Sequence, residues 1–369
     1  NLFYDRLFRV KEEQNPYFFS FSANLANISN TVNKTRYNYD TLGRIISVIN
    51  PDGTLKQTIY NKSTIKDFDE NNNFKTYYLD SYDRIIAVEE HNTDFYIKDN
   101  ETYNTTYSYN GADELTGIRD NEGNNFNFTY NSLGQKIQLD DPDLGTWKYG
   151  YDFAGNLIKQ TDNKGNAIIM GYDGLNRISH KNTSSTKYSF TYDVQYQGTL
   201  SKIEFDNITY SYTYDDRLRP LTETRVSLKK DWNLTMEKAF SYDSMDRIRQ
   251  IMEPNGKDID LYYSHQNRIS SIKGWINQSN YNAFSNPLNR TYNIAKTAKF
   301  DYYADNSRLK QINSNNVQIL NYTYDSVGNI AQIDDQNNSR LYSMSYDNLD
   351  RLTNVAIGPY KWVYSYNAI

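Results

Sequence analysis

The chain has 369 residues, 38% of them hydrophobic, and a formal net charge of -5, with acidic and basic residues mixed along its length. We find no basic stripe, which argues against a nucleic-acid partner, and no apolar run near the roughly 20 residues that a membrane-spanning helix needs. The chain has no cysteine, which excludes disulfides, thiolate catalysis and zinc–thiolate sites, whereas its 36 tyrosines supply apolar rings that the low mean hydropathy hides.

One phrase, aromatic-x-Tyr-Asp-x-x-Gly-Arg-Ile/Leu, recurs along the chain. In chain order its tyrosine position falls at Tyr4, Tyr39, Leu79, Tyr109, Tyr130, Tyr151, Tyr172, Tyr192, Tyr214, Tyr242, Tyr263, Tyr303, Tyr324, Tyr346 and Tyr366. Degenerate copies of the phrase lie at Tyr60 and Tyr281. A spacing of about 21 residues, held over most of the chain, predicts a repeat architecture.

Each unit has the pattern of two strands, because apolar and polar residues alternate on both sides of the phrase. Turn clusters rich in Asn, Asp and Gly close the units at 50–53, 120–123, 162–165 and 253–256. We predict an all-β fold of about 17 tandem β-hairpins in one continuous sheet, which its own twist makes curl.

The predicted array is a single domain over residues 1–369. Its repeats are clearest over 105–250 and 300–369 and degenerate over 1–104 and 264–300.

The Asp-x-x-Gly-Arg part of the phrase predicts a turn. The aspartate can accept hydrogen bonds from backbone amides two or three residues on, and glycine supplies a left-handed residue. Where glycine is missing, Asn176, Asp246 and Asp350 take its place, and the arginine can pair with an aspartate and stack on a tyrosine. The repeat residues with these structural roles are Tyr39, Asp40, Gly43, Arg44, Tyr151, Asp152, Gly155, Tyr172, Asp173, Arg177, Tyr242, Asp243, Arg247, Tyr324, Asp325, Gly328, Tyr346, Asp347 and Arg351.

The phrases YNYDTLGRI (37–45), YGYDFAGNL (149–157), YTYDSVGNI (322–330) and MSYDNLDRL (344–352) carry a family resemblance. Through them nearly the whole chain resembles the YD-repeat, or RHS-repeat, family. That family includes toxin cocoon shells, RHS polymorphic toxins and teneurin ectodomains. The resemblance implies hairpins wound into a spiralling sheet that forms a hollow shell or tube.

We expect a non-enzymatic, extracellular structural protein, secreted to the cell surface, whose copies associate edge to edge into a filament or layer. Both ends of the sequence lie inside repeat phrases, so we also expect a portion of a longer precursor. The expected partners are another copy or neighbouring parts of a longer YD-repeat chain, and glycans. Two alternatives stay open: a fragment of a toxin-encapsulating cage, and a teneurin-like adhesion or glycan-binding ectodomain.

The sequence predicts no catalytic residue, no cofactor and no metal site. His91, His180 and His265 lie far apart, and acidic pairs such as Asp140 and Asp141 fall in turn-like segments.

Sequons for N-glycosylation are frequent, at about twice the number that composition alone provides. These candidate sites are Asn27, Asn33, Asn61, Asn100, Asn104, Asn127, Asn182, Asn207, Asn233, Asn277, Asn289, Asn321 and Asn337.

Overall fold

The computed structural model describes residues 2–16, 33–93, 100–229, 232–315 and 317–366. These residues form 33 β-strands and no helix, and the strands are hydrogen-bonded in one sheet. Every strand pairing that the structure describes is antiparallel and joins neighbours in the sequence, which confirms the prediction of tandem hairpins. The described part of the chain holds no helix with the length and apolarity needed to cross a membrane.

The chain divides into two compact units, and a single array over residues 1–369 stays a prediction. Unit 1 comprises residues 1–107, 120–123 and 264–369, and unit 2 comprises residues 108–119 and 124–263.

The strands of unit 1 come from its two long segments. They are β1 (Leu2–Tyr4), β2 (Val10–Gln14), β3 (Lys34–Tyr39), β4 (Ile45–Ile49), β5 (Leu55–Tyr60), β6 (Thr64–Phe68), β7 (Phe74–Leu79), β8 (Ile85–Thr93), β9 (Asn100–Tyr109, whose last two residues fall in unit 2), β24 (Ile269–Ile272), β25 (Ile276–Tyr281), β26 (Pro287–Tyr292), β27 (Thr297–Tyr302), β28 (Leu309–Ser314), β29 (Gln318–Tyr324), β30 (Ile330–Asp335), β31 (Arg340–Tyr346), β32 (Leu352–Ile357) and β33 (Tyr360–Val363).

Unit 2 is built from consecutive strands. They are β10 (Leu115–Arg119), β11 (Asn125–Tyr130), β12 (Lys136–Asp141), β13 (Gly145–Tyr151), β14 (Leu157–Thr161), β15 (Ala167–Tyr172), β16 (Ile178–Asn182), β17 (Lys187–Tyr192), β18 (Leu200–Phe205), β19 (Ile208–Tyr214), β20 (Pro220–Lys229), β21 (Trp232–Tyr242), β22 (Ile248–Met252) and β23 (Asp258–Tyr263).

The repeat tyrosine ends most of the odd-numbered strands, and a β-bulge accompanies it. In the β3–β4 pair, Asn38 faces Ser47 but the next residue, Tyr39, faces Ile45, so one residue of β4 is left over. The same shift precedes Tyr172 in the β15–β16 pair. A bulge bends the strand and re-aims the neighbouring side chain, so the repeats that carry the bulge turn their tyrosines in the same way.

Burial is shallow throughout the described residues. Among their apolar side chains only Tyr103, which is 8% exposed, and Ala298, which is 4% exposed, count as buried. Strand β11 alternates strictly between exposed and half-buried positions, with Phe126, Phe128 and Tyr130 on the half-buried face. The strands are therefore stabilised by contacts along the sheet surface, between side chains of neighbouring strands.

Two kinds of turn alternate along each unit. The turns that follow odd-numbered strands carry the Asp-x-x-Gly-Arg phrase, and we call them corner turns; the turns that follow even-numbered strands we call opposite turns. Because consecutive strands run antiparallel, the two kinds lie at opposite ends of the strands.

Candidate functional site

The corner turn is the recurrent site of this chain, and the corner at Asp40 shows its geometry. Asp40 Oδ1 accepts hydrogen bonds from the backbone N–H groups of Leu42 and Arg44, both at 2.9 Å. Its Oδ2 accepts from Arg44 Nε at 2.7 Å, so both carboxylate oxygens are engaged. Gly43, with a φ of 84°, is the left-handed residue of the turn. One carboxylate thus fixes both the path of the chain and the position of the arginine.

The same arrangement recurs at Asp173, Asp243 and Asp347. In these corners the arginine four residues on donates from Nε to the aspartate Oδ2 at 2.8, 2.7 and 2.7 Å respectively. Their left-handed residues are Asn176, Asp246 and Asp350, with φ of 59°, 63° and 62° respectively. Asn and Asp adopt this conformation more readily than other residues with a side chain, which explains why they replace glycine here.

Two corners use an amide where the others use a guanidinium. Asn156 Nδ2 donates to Asp152 Oδ2, and Asn329 Nδ2 donates to Asp325 Oδ2, both at 3.0 Å. In the second of these corners Gly328 has a φ of 111°, and a Cβ there would lie 3.0 Å from the guanidinium of Arg308. Glycine is therefore favoured at this corner by its backbone conformation, and a side chain there would also crowd the Arg308 guanidinium.

Corner arginines also contact the next repeat. Several of them stack on the tyrosine that ends the next odd-numbered strand, or that follows β33 in the last case, whereas Arg84 stacks on Tyr82 of its own corner. The distances from Cζ to the ring centre are 4.1 Å for Arg44 on Tyr60, 4.4 Å for Arg177 on Tyr192, 4.4 Å for Arg247 on Tyr263 and 4.9 Å for Arg351 on Tyr366. A guanidinium over an aromatic face is attracted by the ring quadrupole, so the corner is tied to its neighbour.

The repeat tyrosine completes the link through its hydroxyl, which we call the tyrosine staple. The hydroxyl donates to the backbone carbonyl of the first residue after the preceding corner turn, for example from Tyr172 to Leu157 at 3.0 Å and from Tyr263 to Ile248 at 2.8 Å. The described residues that form this bond are Tyr39, Tyr130, Tyr151, Tyr172, Tyr192, Tyr214, Tyr242, Tyr263, Tyr281, Tyr302, Tyr324, Tyr346 and Tyr366.

The staple is not among the features predicted from the sequence. The available signal was that a partly buried tyrosine hydroxyl needs a partner, and the same tyrosine stands before the corner aspartate in repeat after repeat. The alignment also placed one repeat tyrosine at Tyr303, which is wrong, since Tyr302 ends β27 and forms the staple to Pro287 at 2.9 Å. The reason is a longer corner, which Tyr303 N–H closes on the Arg308 carbonyl.

One arginine, Arg177, pairs with the carboxylates of two neighbouring corners. Its guanidinium donates to Asp193 at 2.9 and 2.6 Å, and this contact, with the Gly198 N–H, lowers the pKa of Asp193 to about 2. The Arg177 side chain also holds the pKa of Asp173 below its usual value. Burial raises the pKa of Tyr192, which keeps its hydroxyl protonated as a donor. The corner carboxylates are therefore ionised acceptors at neutral pH.

Unit 1 contains a second feature, which we call the seam. Here corner turns of its C-terminal segment lie against opposite turns of its N-terminal segment. Asn306 Nδ2 donates to Asp52 Oδ2 at 3.2 Å, and Asn71 Nδ2 donates to Asp325 Oδ2 at 3.4 Å. Both pairs are separated by 254 residues, so the seam keeps one register over neighbouring turns.

The seam continues on both sides of these pairs. Asn33 Nδ2 donates to the Ala304 carbonyl at 2.6 Å, and Arg351 stacks on Tyr103 at 5.5 Å. Cavities of about 280 and 380 Å³ lie along it, the first beside Asp52 and Arg308 and the second beside Phe74 and Leu349. The seam thus combines amide–carboxylate bonds with partial burial of apolar groups.

The predicted glycosylation sites fall into two groups. The exposed side chains are Asn61, Asn104, Asn127, Asn207, Asn233, Asn277 and Asn337, and the half-buried ones are Asn33, Asn182, Asn289 and Asn321. In two of the half-buried sites the amide nitrogen donates a hydrogen bond, to Ala304 from Asn33 and to Asp334 from Asn321. Asn27 lies outside the described residues, as does the side chain of Asn100.

The three histidines lie apart in the structure. His91 pairs with Glu89 at 2.8 Å in β8, His180 covers Gly171 on the neighbouring strand, and His265 is exposed in a corner turn. Among the described residues no group of His, Cys, Asp and Glu is arranged to hold a metal ion. Unit 2 carries a groove of about 490 Å³ lined mainly by aromatic rings, among them those of Tyr188 and Phe205.

Comparison with known proteins relates this geometry to a family. No family model matches the chain. Human teneurin-4 is 22% identical over 249 residues, which cover 53% of this chain and 9% of teneurin-4, and mouse teneurin-4 gives the same values. In a crystal structure of TcdB2-TccC3, the matching part superposes on 96% of this chain with a TM-score of 0.85 and 16% identity.

The chain has the YD-repeat shell fold. The resemblance to the YD-repeat, or RHS-repeat, family is therefore confirmed, as is the all-β fold class. The Photorhabdus luminescens Tc holotoxin pore supports the same conclusion, with a TM-score of 0.79 over 87% of this chain at 16% identity. The chain spans about a tenth of teneurin-4 and about a fifth of the chain in the TcdB2-TccC3 structure.

Proposed function

We propose that this chain is a non-enzymatic wall segment of an extracellular YD-repeat shell. The proposal rests on one observation: the carboxylates and tyrosine hydroxyls of the repeat form hydrogen bonds that hold the fold together. The corner carboxylates bond to their own turns, as at Asp40, and the repeat tyrosines bond to the preceding hairpin, as at Tyr263. Carboxylates held ionised in this way serve poorly as general acids, because an acid must release and regain a proton near the working pH.

The same proposal includes self-association into a filament or surface layer. Among the described strands, β1 and β33 each pair with one neighbour, and the side chains of both are exposed. An exposed strand edge offers N–H and C=O groups to a further strand. That strand can come from neighbouring repeats of a longer chain or from another copy.

N-glycosylation of the exposed sequons is part of the proposed extracellular role. Asn127 lies on the exposed face of β11, opposite the half-buried face that carries Tyr130. We expect a glycan on the exposed Asn127 and none on the half-buried Asn321, whose amide donates to Asp334. Mass spectrometry of the protein from a glycosylating host checks this, and occupied Asn321 with empty Asn127 would contradict it.

Two alternatives remain candidates, each with an observation in its favour. A toxin-encapsulating cage is favoured by the match of 96% of the chain to TcdB2-TccC3. A teneurin-like adhesion module that binds glycans is favoured by the aromatic groove of unit 2, since rings such as Tyr188 and Phe205 offer faces on which sugars can stack.

Electron microscopy of the purified native protein at several concentrations separates these functions. Long assemblies of constant diameter support the filament, and closed particles with internal density support the cage. Single particles at every concentration, together with retention on a glycan array, would support the adhesion module and count against the filament.

A further inference from the structure

The corner turns carry an apolar residue whose burial differs from place to place in unit 1. It stands two residues after the corner aspartate, at Leu7, Leu42 and Tyr82 in the N-terminal segment, with exposures of 68%, 76% and 76%. At the seam the equivalent residues, Val327 and Leu349, are half-buried. Among the described residues this position is thus half-buried at the seam and exposed in the corner turns of the N-terminal segment.

The seam also shows what kind of surface covers such a residue. The partner is a row of opposite turns rich in Asn and Asp, which supply Asp52 and Asn71 to the hydrogen bonds across it. Leu349 borders the seam cavity beside Phe74 and Lys75, where apolar carbon and the stem of a lysine meet it. A corner turn is therefore complementary to an opposite turn in both polar and apolar groups.

Among its described residues, unit 1 presents a further surface of each kind. The corner turns of its N-terminal segment expose Leu42 and Tyr82, and the opposite turns of its C-terminal segment expose Ile294 and Val317. The second surface has the Asn-rich composition of the opposite turns at the seam, with Asn313–Asn315 and Asn337–Asn338 among its residues.

We propose that the N-terminal corner turns of one copy dock on the C-terminal opposite turns of a second copy, repeating the seam between molecules. This inference rests on the proposed self-association and assigns it to the turn surfaces of unit 1, as distinct from the strand edges of β1 and β33. Because the two surfaces differ, the contact is head-to-tail and adds copies in one direction. The exposed Asn337 lies in the proposed docking surface, and a glycan there would block the contact, so the contact requires that Asn337 itself carries no glycan.

The test is sedimentation velocity of the unglycosylated 369-residue chain over a range of concentrations. Its variants are the double substitution Leu42→Glu/Tyr82→Glu and the single substitution Val317→Glu, on the two proposed surfaces. Ile169→Glu is the matched control, since Ile169 is an exposed residue of β15 and lies in the middle of a strand. Exposed turn residues tolerate such changes, and circular dichroism checks that each variant is folded.

We expect the wild-type chain and Ile169→Glu to associate with the same dissociation constant, and the other two variants to show a constant raised at least tenfold. If the wild type associates and both surface variants associate equally well, the proposed surface is wrong, while self-association through strand edges such as β33 stands. A wild type that stays monomeric at every concentration overturns both this inference and the proposed self-association.

Discussion

The tyrosine staple makes a quantitative prediction at two adjacent tyrosines of β23. Tyr263 donates from its hydroxyl to the Ile248 carbonyl at 2.8 Å and receives the Arg247 guanidinium on its ring at 4.4 Å. Tyr262 is 49% exposed on the other face of the strand. The substitution Tyr263→Phe removes the hydroxyl and keeps the ring, whereas Tyr262→Phe makes the same chemical change where the structure shows no staple.

A net hydrogen bond of this kind contributes about 1 kcal/mol, so Tyr263→Phe should lower the free energy of unfolding by about that amount. Tyr263→Leu should cost about 0.5–1 kcal/mol more, because it also removes the stacking of Arg247. Tyr262→Phe should stay within about 0.5 kcal/mol of the wild type, as exposed substitutions usually do.

Unfolding in guanidinium chloride measures the change in the global free energy of unfolding. Amide hydrogen exchange in β22 and β23 measures the change in local stability. A loss of about 1 kcal/mol corresponds to roughly fivefold faster exchange in these strands. Equal effects of Tyr263→Phe and Tyr262→Phe on both measurements would refute the staple as a stabilising contact.

Two further predictions follow from the corner turns. Gly328→Ala should lower the melting temperature, since the backbone conformation there disfavours a side chain and the added Cβ would meet Arg308. Gly174→Ala should not, because a Cβ at Gly174 would have no atom within 4 Å. Equal melting temperatures of the two variants would contradict this. Stability should also be lost at both ends of the pH scale. The depressed pKa of corner carboxylates such as Asp193, about 2, means that they stabilise the fold above about pH 4 and that this is lost as pH falls towards 2. The raised pKa of stapling tyrosines such as Tyr263 means that their contribution is present below about pH 10 and lost above it. Circular dichroism against pH should show a plateau between these limits, and a midpoint near neutral pH would argue against both assignments.

The sequence predicts the corner turns because their contacts are local. Asp40, Gly43 and Arg44 lie within five residues, so the chemistry of one short phrase determines which groups meet. The left-handed residues at Asn176 and Asp350 follow from the same phrase, since few other side chains tolerate that conformation.

The contacts between repeats are harder to predict, because they depend on register. The staple from Tyr263 reaches Ile248 across a strand pair, and the bulge before each repeat tyrosine decides where the ring points. The seam pairs residues 254 positions apart, as in Asn71 and Asp325, and their meeting depends on twist accumulated over many strands. The accessibility of a sequon is hard to predict for the same reason, since the sequence does not show that the Asn321 amide donates to Asp334.

The pairing of each strand with its chain neighbour has a consequence for how the protein folds. Most native contacts join residues within one or two hairpins, so the contact order is low for an all-β protein, and hairpins can form in turn as the chain is synthesised. The seam is the exception, because Asp52 cannot bond until Asn306 has been made. The opposite turns of the N-terminal segment therefore stay uncovered until the corner turns of the C-terminal segment have been synthesised.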